Sequence, residues 1–347
     1  MKQILLTGGA GFIGINFLKL LLKDDIQVVN LDLLTYAANI EEVRQFEELN
    51  NYSFIQGNIS DSDLVSWIFT KYNIQHVIHF AAESHVDNSI NKPEKFIETN
   101  INGTFTILEV ARQKWLSEPF KPRIEYENSR FLHISTDEVY GSLGEEGFFT
   151  EETPYAPNSP YSASKASSDL LVRSYYHTYG LNAVITNCSN NFGPYQHDEK
   201  LIPTVIRMAL YHKPIPIYGD GENVRDWLFV EDHCRALKII FDRAEPGSNY
   251  NIGGNNEKNN LELVERICGV LDRLVPSATL SSYRELITFV KDRPGHDQRY
   301  AIDASKLKSE LGWEPSKDFD LNLEKTVRWY IGKYGFSSGL RLERSRS

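Results

Sequence analysis

One short stretch near the N-terminus limits what this chain can become. Residues 3–7, Gln-Ile-Leu-Leu-Thr, read as a buried strand, and glycines follow at once at Gly8, Gly9, Gly11 and Gly14. From Phe12 to about residue 23 the apolar residues recur at helical spacing. Within that strand–turn–helix unit Gly8 permits the tight turn, Gly11 lets the backbone approach a pyrophosphate, and Gly14 lets the helix pack close to the sheet. The first helical residues, Phe12 and Ile13, would present N–H groups and the positive end of the helix dipole to phosphate oxygens. Glycine spacing alone is a weak signal. It gains force here because a second strand, residues 27–32, follows in the right order and ends in Asp32. A carboxylate there accepts hydrogen bonds from ribose hydroxyls and repels a 2′-phosphate, so NAD is expected rather than NADP.

The pattern continues as an α/β chain. Further strands are expected at residues 53–56, 76–80, 130–135 and 182–187, with helices at 62–71, 93–115 and 159–179. Strands apolar throughout, separated by helices, imply a parallel sheet covered on both faces. The expected fold is therefore an NAD-binding Rossmann unit, a doubly wound parallel sheet, over residues 1–189. Beyond it Pro194, Pro203, Pro214 and Pro216 break the pattern, and helices return at 231–243, 260–274 and 303–311. Residues 190–335 are read as a smaller mixed α/β C-terminal substrate domain, with a segment near 216–245 returning to the first unit. Residues 118–129 are read as a surface loop and 336–347 as a polar tail.

Composition narrows the partners. A net charge of −10 disfavours nucleic acid and anionic membranes, though not an anionic small ligand held by local cations. Cys188, Cys234 and Cys268 are far apart and odd in number, which fits neither a disulfide framework nor a zinc pattern, so no metal is expected and a cytoplasmic location is. The first apolar run is too short for a signal peptide or a membrane span.

Two further groups carry chemistry. Tyr161 and Lys165 are four apart in a predicted helix and share one face, where an ammonium stabilises a phenolate. Such a tyrosine takes a proton from a hydroxyl while hydride leaves the same carbon. The strand over 130–135 runs into Thr136, Asp137 and Glu138, at the carboxyl end where such sheets bind ligands. Adjacent carboxylates there are costly unless solvated, paired or used. A plain reductase needs only the tyrosine, the lysine and a hydroxyl, so the acidic pair points to an added acid and base, as elimination of water requires. An acidic pair can also simply cap a turn. Asn58 and Ile59 follow the third strand, where an adenine edge would lie, and Ala81, Ala82, Glu83 and Ser84 follow the fourth, with Thr99 in the next helix. Lys200, Arg225, Arg293 and His296 are cations in stretches rich in Gly, Pro or Asn, candidates for a diphosphate.

Together these residues resemble the extended short-chain dehydrogenase/reductase family, and its dTDP-glucose 4,6-dehydratase branch in particular. The strings "AAESHVDNSI", "HISTDEVYGSLGEEGFFTEETPYAPNSPYSASKASSDLLV", "CSNNFGPYQHDEKLIP" and "YGDGENVRDWLFVEDHCRAL" carry the likeness, which spans residues 3 to about 335. The resemblance implies a nucleotide-sugar substrate. Thr136 would hydrogen-bond the sugar 4-hydroxyl, Tyr161 with Lys165 would take its proton, Glu138 would remove the proton from carbon 5, and Asp137 would protonate the departing 6-hydroxyl. It adds Leu33, Thr35 and Asn191 to the cofactor contacts. It assigns the sugar, diphosphate and base to Ser84, Asn190, Lys200, Leu201, Pro216, Ile217, Tyr218, Arg225, Asn260, Asp292, Arg293, Pro294, Gly295 and His296. It also implies a homodimer joined through the helix after the fourth strand and the Tyr161–Lys165 helix. Asn58 stands where the family usually has aspartate, and Ile15 where a small polar residue is usual. The readings left open are a 4,6-dehydratase for a UDP-, CDP- or GDP-linked sugar, a 4-epimerase, which has no use for the acidic pair, and an NAD-binding regulator without catalysis.

Overall fold

A computed structural model describes residues 2–292 and 296–336. Seven strands form one parallel sheet: β1 (Lys2–Thr7), β2 (Ile26–Asp32), β3 (Tyr52–Gln56), β4 (His76–His79), β5 (Arg130–Thr136), β6 (Ala183–Cys188) and β10 (Asn249–Ile252), numbered with the second-lobe strands given below. Their order across the sheet is β10-β6-β5-β4-β1-β2-β3. The order reverses between β1 and β4, so the crevice for a ligand opens at the carboxyl ends of those two strands. Successive residues face opposite layers. Ile4 and Leu6 pack with Phe17 and Leu18 of helix α1 (Phe12–Leu21), whereas Leu5 packs toward Phe69 of α2 (Ser62–Lys71) and Trp115 of α3 (Thr104–Trp115). Helix α4 (Pro160–Tyr179) lies on the second face, and α6 (Val230–Arg243) on the first, against α1.

The second lobe has its own core. Strand β9 (Val224–Phe229) lies between β7 (Asn190–Phe192) and β11 (Glu257–Asn259), while β8 (Ile215–Tyr218) pairs with β12 (Ile287–Val290). Helices α5 (Leu201–Leu210), α7 (Asn260–Leu274) and α9 (Phe319–Lys333) enclose Val205, Leu271 and Leu323 with them. Helix α8 (Ser305–Leu311) lies against β10. The chain leaves the first sheet after β6 and returns through α6 and β10.

Four features depart from the sequence reading. The helix expected over 93–115 divides into Pro93–Phe96, a π-helical stretch Ile97–Gly103, and α3. Widening of this kind is common at functional sites. The seventh strand, β10, was not foreseen, because four apolar and polar residues between loops give no distinct period. Helices α5 and α9 were also missed; α5 tolerates Pro203 because it falls in the first turn. The loop expected over 118–129 holds a small hairpin of Leu116–Glu118 with Lys121–Pro122 and a 3₁₀ turn, Ile124–Tyr126. Among the described residues no helix is long and apolar enough to cross a membrane.

Candidate active site

The turn after β1 is shaped by close backbone approaches. Gly8 has φ +74°, and a Cβ there would lie 2.6 Å from the Ala81 nitrogen. A Cβ on Gly14 would lie 2.3 Å from the Gly8 carbonyl oxygen, whereas on Gly11 it would meet only that oxygen, at 3.2 Å. Gly8 and Gly14 are therefore fixed by packing, whereas the fold itself barely crowds a side chain at Gly11. No side chain caps the ten-residue helix α1, and its first turn holds no acidic residue, so the N–H groups behind Gly11 remain open to an anion. Asp32 Oδ2 accepts from the Ala10 N–H at 2.9 Å and Oδ1 from the Leu34 N–H at 2.8 Å, tying the strand end to the glycine turn. Burial raises the Asp32 carboxyl above its usual range, and those two N–H groups work against the rise.

One cavity runs from this turn to the acidic pair. Every residue expected at the cofactor lines it: Gly8, Gly11, Phe12, Ile13, Gly14, Asp32, Leu33, Thr35, Asn58, Ile59, Ala81, Ala82, Ser84, Thr99, Tyr161, Lys165 and Asn191. Thr136, Asp137 and Glu138 line the same cavity, as do Asn190 and Lys200. An NAD-sized anion with a pyrophosphate fits the uncapped helix end and the glycine backbone. Asn58 Oδ1 accepts from the Ser60 N–H at 2.9 Å and keeps a second lone pair toward the cavity edge. Ile15 is fully buried in the core of the first sheet.

Local structure brings the reactive groups together. Strand β5 ends at Thr136, whose hydroxyl accepts the Glu138 N–H at 3.3 Å and starts the 3₁₀ turn Asp137–Tyr140. The turn sends neighbouring carboxylates to different surroundings: Asp137 is 1% exposed, and Glu138 is half-buried. Helix α4 opens with a Ser159–Ser162 capping box and Pro160 in its first turn, which sets Tyr161 and Lys165 over the strand ends. The Thr136 hydroxyl, which donates to Asp137 Oδ1 at 3.4 Å, also favours the ionised form of the Tyr161 phenol. Lys165 Nζ donates to the Ile134 carbonyl at 2.8 Å.

The electrostatics separate the two acids. Burial first, then the charges of Glu138 and Asp226, push the Asp137 carboxyl well above the carboxylate range, against Arg225 and the Thr136 hydroxyl. Asp137 is thus biased toward its protonated form. Burial, followed by the Glu138 charge, raises the Tyr161 phenol, and a positive charge beside it would oppose that rise. Burial lowers the Lys165 ammonium, and Asp169 and Cys188 oppose that.

The rest of the expected substrate set lies apart from this lining. Pro216, Ile217 and Tyr218 form β8; Asp292 Oδ1 meets His296 Nδ1 at 2.7 Å, and the His296 ring lies edge-on to Tyr218 at 6.5 Å. Leu201 opens α5 and Asn260 opens α7. Arg225, expected in an irregular stretch just before a strand, stands within β9 and is buried. It lies 4.4 Å over the Tyr300 ring and donates to the carbonyls of Val224, Asp297 and Gln298. Arg293, Pro294 and Gly295 lie outside the described residues.

Several lining residues had no sequence signal. Ser135, Cys188, Ser189, Gln196, His197 and Glu199 complete the cavity. The last three belong to a strap, residues 194–199, along the cavity. Asn16 Nδ2 donates to the Pro194 carbonyl at 3.0 Å, Asn39 Nδ2 to that of Tyr195 at 3.2 Å, and the Tyr36 hydroxyl to Glu199 Oε1 at 3.0 Å. Asn100, in the π-helical stretch, is also newly placed. Its amide donates to the Glu83 carbonyl at 3.0 Å and the Ser164 hydroxyl at 2.8 Å, and accepts the Glu83 N–H at 2.8 Å.

Comparison with known proteins gives one consistent result. A family model described as GDP-mannose 4,6 dehydratase matches residues 5–326. A dTDP-glucose 4,6-dehydratase of Xanthomonas campestris pv. campestris (strain B100) is 52% identical over 349 residues, covering 99% of each chain. One from Salmonella typhimurium (strain LT2) is 54% identical over 341 residues, covering 95% of this chain and 92% of the relative. The solved dTDP-glucose 4,6-dehydratase of Streptomyces venezuelae, with NAD bound, superposes with a TM-score of 0.86 at 41% identity, covering 96% of this chain and 98% of the other.

Proposed function

We propose, from the premise that this chain belongs to the dTDP-glucose 4,6-dehydratase family of extended short-chain dehydrogenase/reductases, the following reading of its site. The enzyme is an NAD-dependent hydro-lyase that converts dTDP-glucose to dTDP-4-keto-6-deoxy-glucose. The observation that carries the residue roles is the convergence of a phenol, a hydroxyl and two unlike carboxyls on one cavity that also holds the glycine turn.

Gly8–Gly14 and Asp32 would hold NAD, which when bound would supply the hydride acceptor for carbon 4 and the hydride donor for carbon 6. Tyr161, with Lys165 behind it, takes the 4-hydroxyl proton while Thr136 hydrogen-bonds the same oxygen. The resulting ketone acidifies the proton on carbon 5, which Glu138 removes. Glu138 is the half-buried member of the pair, the one open to the cavity. Asp137, protonated through burial, donates to the departing 6-hydroxyl, and water leaves. Glu138 then gives its proton back to carbon 5.

Ser84, Asn190 and Lys200 receive the sugar and diphosphate at the cavity, and the base extends toward Tyr218, Asp292 and His296 on the second lobe. Residues 1–189, with the return through α6 and β10, hold the cofactor; most of 190–335 holds the nucleotide. The protein acts as a homodimer in the cytoplasm. Exposed Ile97, Phe105 and Leu170 on the helices expected at the interface support pairing, and three buried free cysteines support a reducing compartment. The decisive experiment incubates purified protein with dTDP-, UDP-, CDP- and GDP-glucose and follows the alkaline absorbance of a 4-keto-6-deoxy sugar. The dTDP sugar should react fastest; absence of that chromophore with every sugar would end this reading.

A further inference from the structure

Lys165 is 4% exposed, and an ammonium at such a site needs a counter-charge if it is to stay charged. Its neighbours on the packed elements are His79 of β4, His133 of β5, Cys188 at the end of β6, and Tyr161 and Asp169 on its own helix. Asp169 lies one turn beyond Lys165 on the same face of α4 and is 1% exposed. Its Oδ2 accepts from the Ser135 hydroxyl at 2.9 Å, the Tyr155 hydroxyl at 3.0 Å and Asn187 Nδ2 at 3.1 Å. His133 Nε2 lies 3.1 Å from Oδ1. The Asn187 amide also donates to the Thr136 carbonyl at 3.1 Å. One carboxylate thus ties together β5 beside the acidic pair, β6, and the helix that carries the tyrosine.

We infer that Asp169 is a positioning residue for the oxidation step: it is a buried anion one helical turn from Lys165 on the same face, and the knot that fixes Thr136 relative to Tyr161. This rests on the proposed role of Tyr161 and Lys165. His133 does not compete for the charge, because burial, reinforced by Lys165, lowers its imidazole to about 4 and leaves it neutral at working pH. Tyr140 also faces Asp169 from the 3₁₀ turn, and from solvent a cleft lined by Glu151, Glu152 and Arg173 approaches it. An amide at position 169 keeps the shape and removes the charge. Lys165 then loses its proton at lower pH, the phenolate of Tyr161 loses its support, and the acid limb of the pH–rate profile moves upward.

The test uses NAD-loaded enzyme and dTDP-glucose. First-turnover cofactor reduction and 4-keto-6-deoxy product are followed across pH for wild type, Asp169→Asn and Asp169→Glu. NAD retention and thermal unfolding are measured alongside. Asp169→Asn should move the acid limb up by about one to two pH units, and Asp169→Glu should restore it. Asp169→Asn with limbs that superimpose on wild type after scaling would overturn the inference, since a purely structural role lowers the rate without moving the limb. If Asp169→Asn does not retain NAD, Tyr155→Phe decides. It removes one donor from the carboxylate and leaves the charge, so its acid limb should coincide with wild type; a displaced limb would overturn the electrostatic role. Inactivity of the wild type would instead refute the underlying reading.

Discussion

Gly14→Ala isolates the contact on which the cofactor turn depends. The added methyl would sit 2.3 Å from the Gly8 carbonyl oxygen and 2.8 Å from Gly9 Cα. Both are backbone atoms of a turn already held by Asp32 and Asn30, so they cannot rotate aside. Relief to an ordinary contact of about 3.4 Å needs roughly 1 Å of movement between α1 and the turn. Overpacking of that size costs about 1–3 kcal/mol. In a chain this long, each kcal/mol lowers the unfolding midpoint by roughly 1–2 °C. The same shift displaces the N–H groups that face the pyrophosphate, so NAD affinity should fall about 5- to 150-fold. Gly11→Ala is the counterpart. Its methyl meets only the Gly8 oxygen at 3.2 Å, so the fold should melt near the wild-type temperature while NAD affinity still drops. Thermal unfolding with and without added NAD, together with calorimetric titration, separates the two effects. A Gly14→Ala protein that melts like wild type without NAD would refute the packing argument.

Other perturbations test other parts of the site. Tyr161→Phe keeps the ring against Phe96 and removes the base, so turnover should fall at least about a hundredfold while the sugar still binds; near-normal turnover would remove Tyr161 from the oxidation. Glu138→Gln should still reduce the bound cofactor and release little 4-keto-6-deoxy product, and ordinary yields would show that another group takes the carbon 5 proton. Asp32→Ala should relax discrimination against NADP and, by freeing the Ala10 and Leu34 N–H groups, lower the melting temperature; an unchanged cofactor ratio would count against its ribose role. Burial lowers His76 and His133 to about 4 and His233 to about 3. Each is neutral when folded and titrates near 6.5 when unfolded, so the unfolded chain binds more protons in between. Stability should therefore be intact above about pH 6.5 and decline toward pH 4, with a slope approaching ~4 kcal/mol per pH unit for three groups. Urea unfolding at stepped pH measures this, and a flat profile over that window would contradict it.

The legible part of this protein was local. Gly8, Gly11 and Gly14 declare themselves because a tight turn and a close helix admit no Cβ. Tyr161 and Lys165 are linked by the period of one helix, and Asp137 and Glu138 by adjacency at a strand end. The illegible part is made of polar residues that look ordinary in their own segments. Asn100 lies in what reads as plain helix; its bonds to Glu83 and Ser164 come from other elements, and with them the π-helical turn. Arg225 reads as a loop cation and is found buried on a strand over Tyr300. Asp169 carries no signal within its own helix; its burial comes from Ser135, Asn187 and Tyr155 closing around it.

The sequence by itself determined the parallel sheet, the cofactor turn and the identity of the reactive groups, because turn sterics and strand and helix periods act over a few neighbouring residues. The tertiary structure alone decided which carboxyl is buried and biased toward its protonated form and which loop straps the cavity. Desolvation and Coulomb interactions depend on what packs within a few ångströms, and in this chain those neighbours arrive from distant segments. Asp137 is biased toward its acid form first by burial, then by the Glu138 charge and by Asp226 of the second lobe, and neither the burial nor Asp226 is contained in Thr136-Asp137-Glu138 alone.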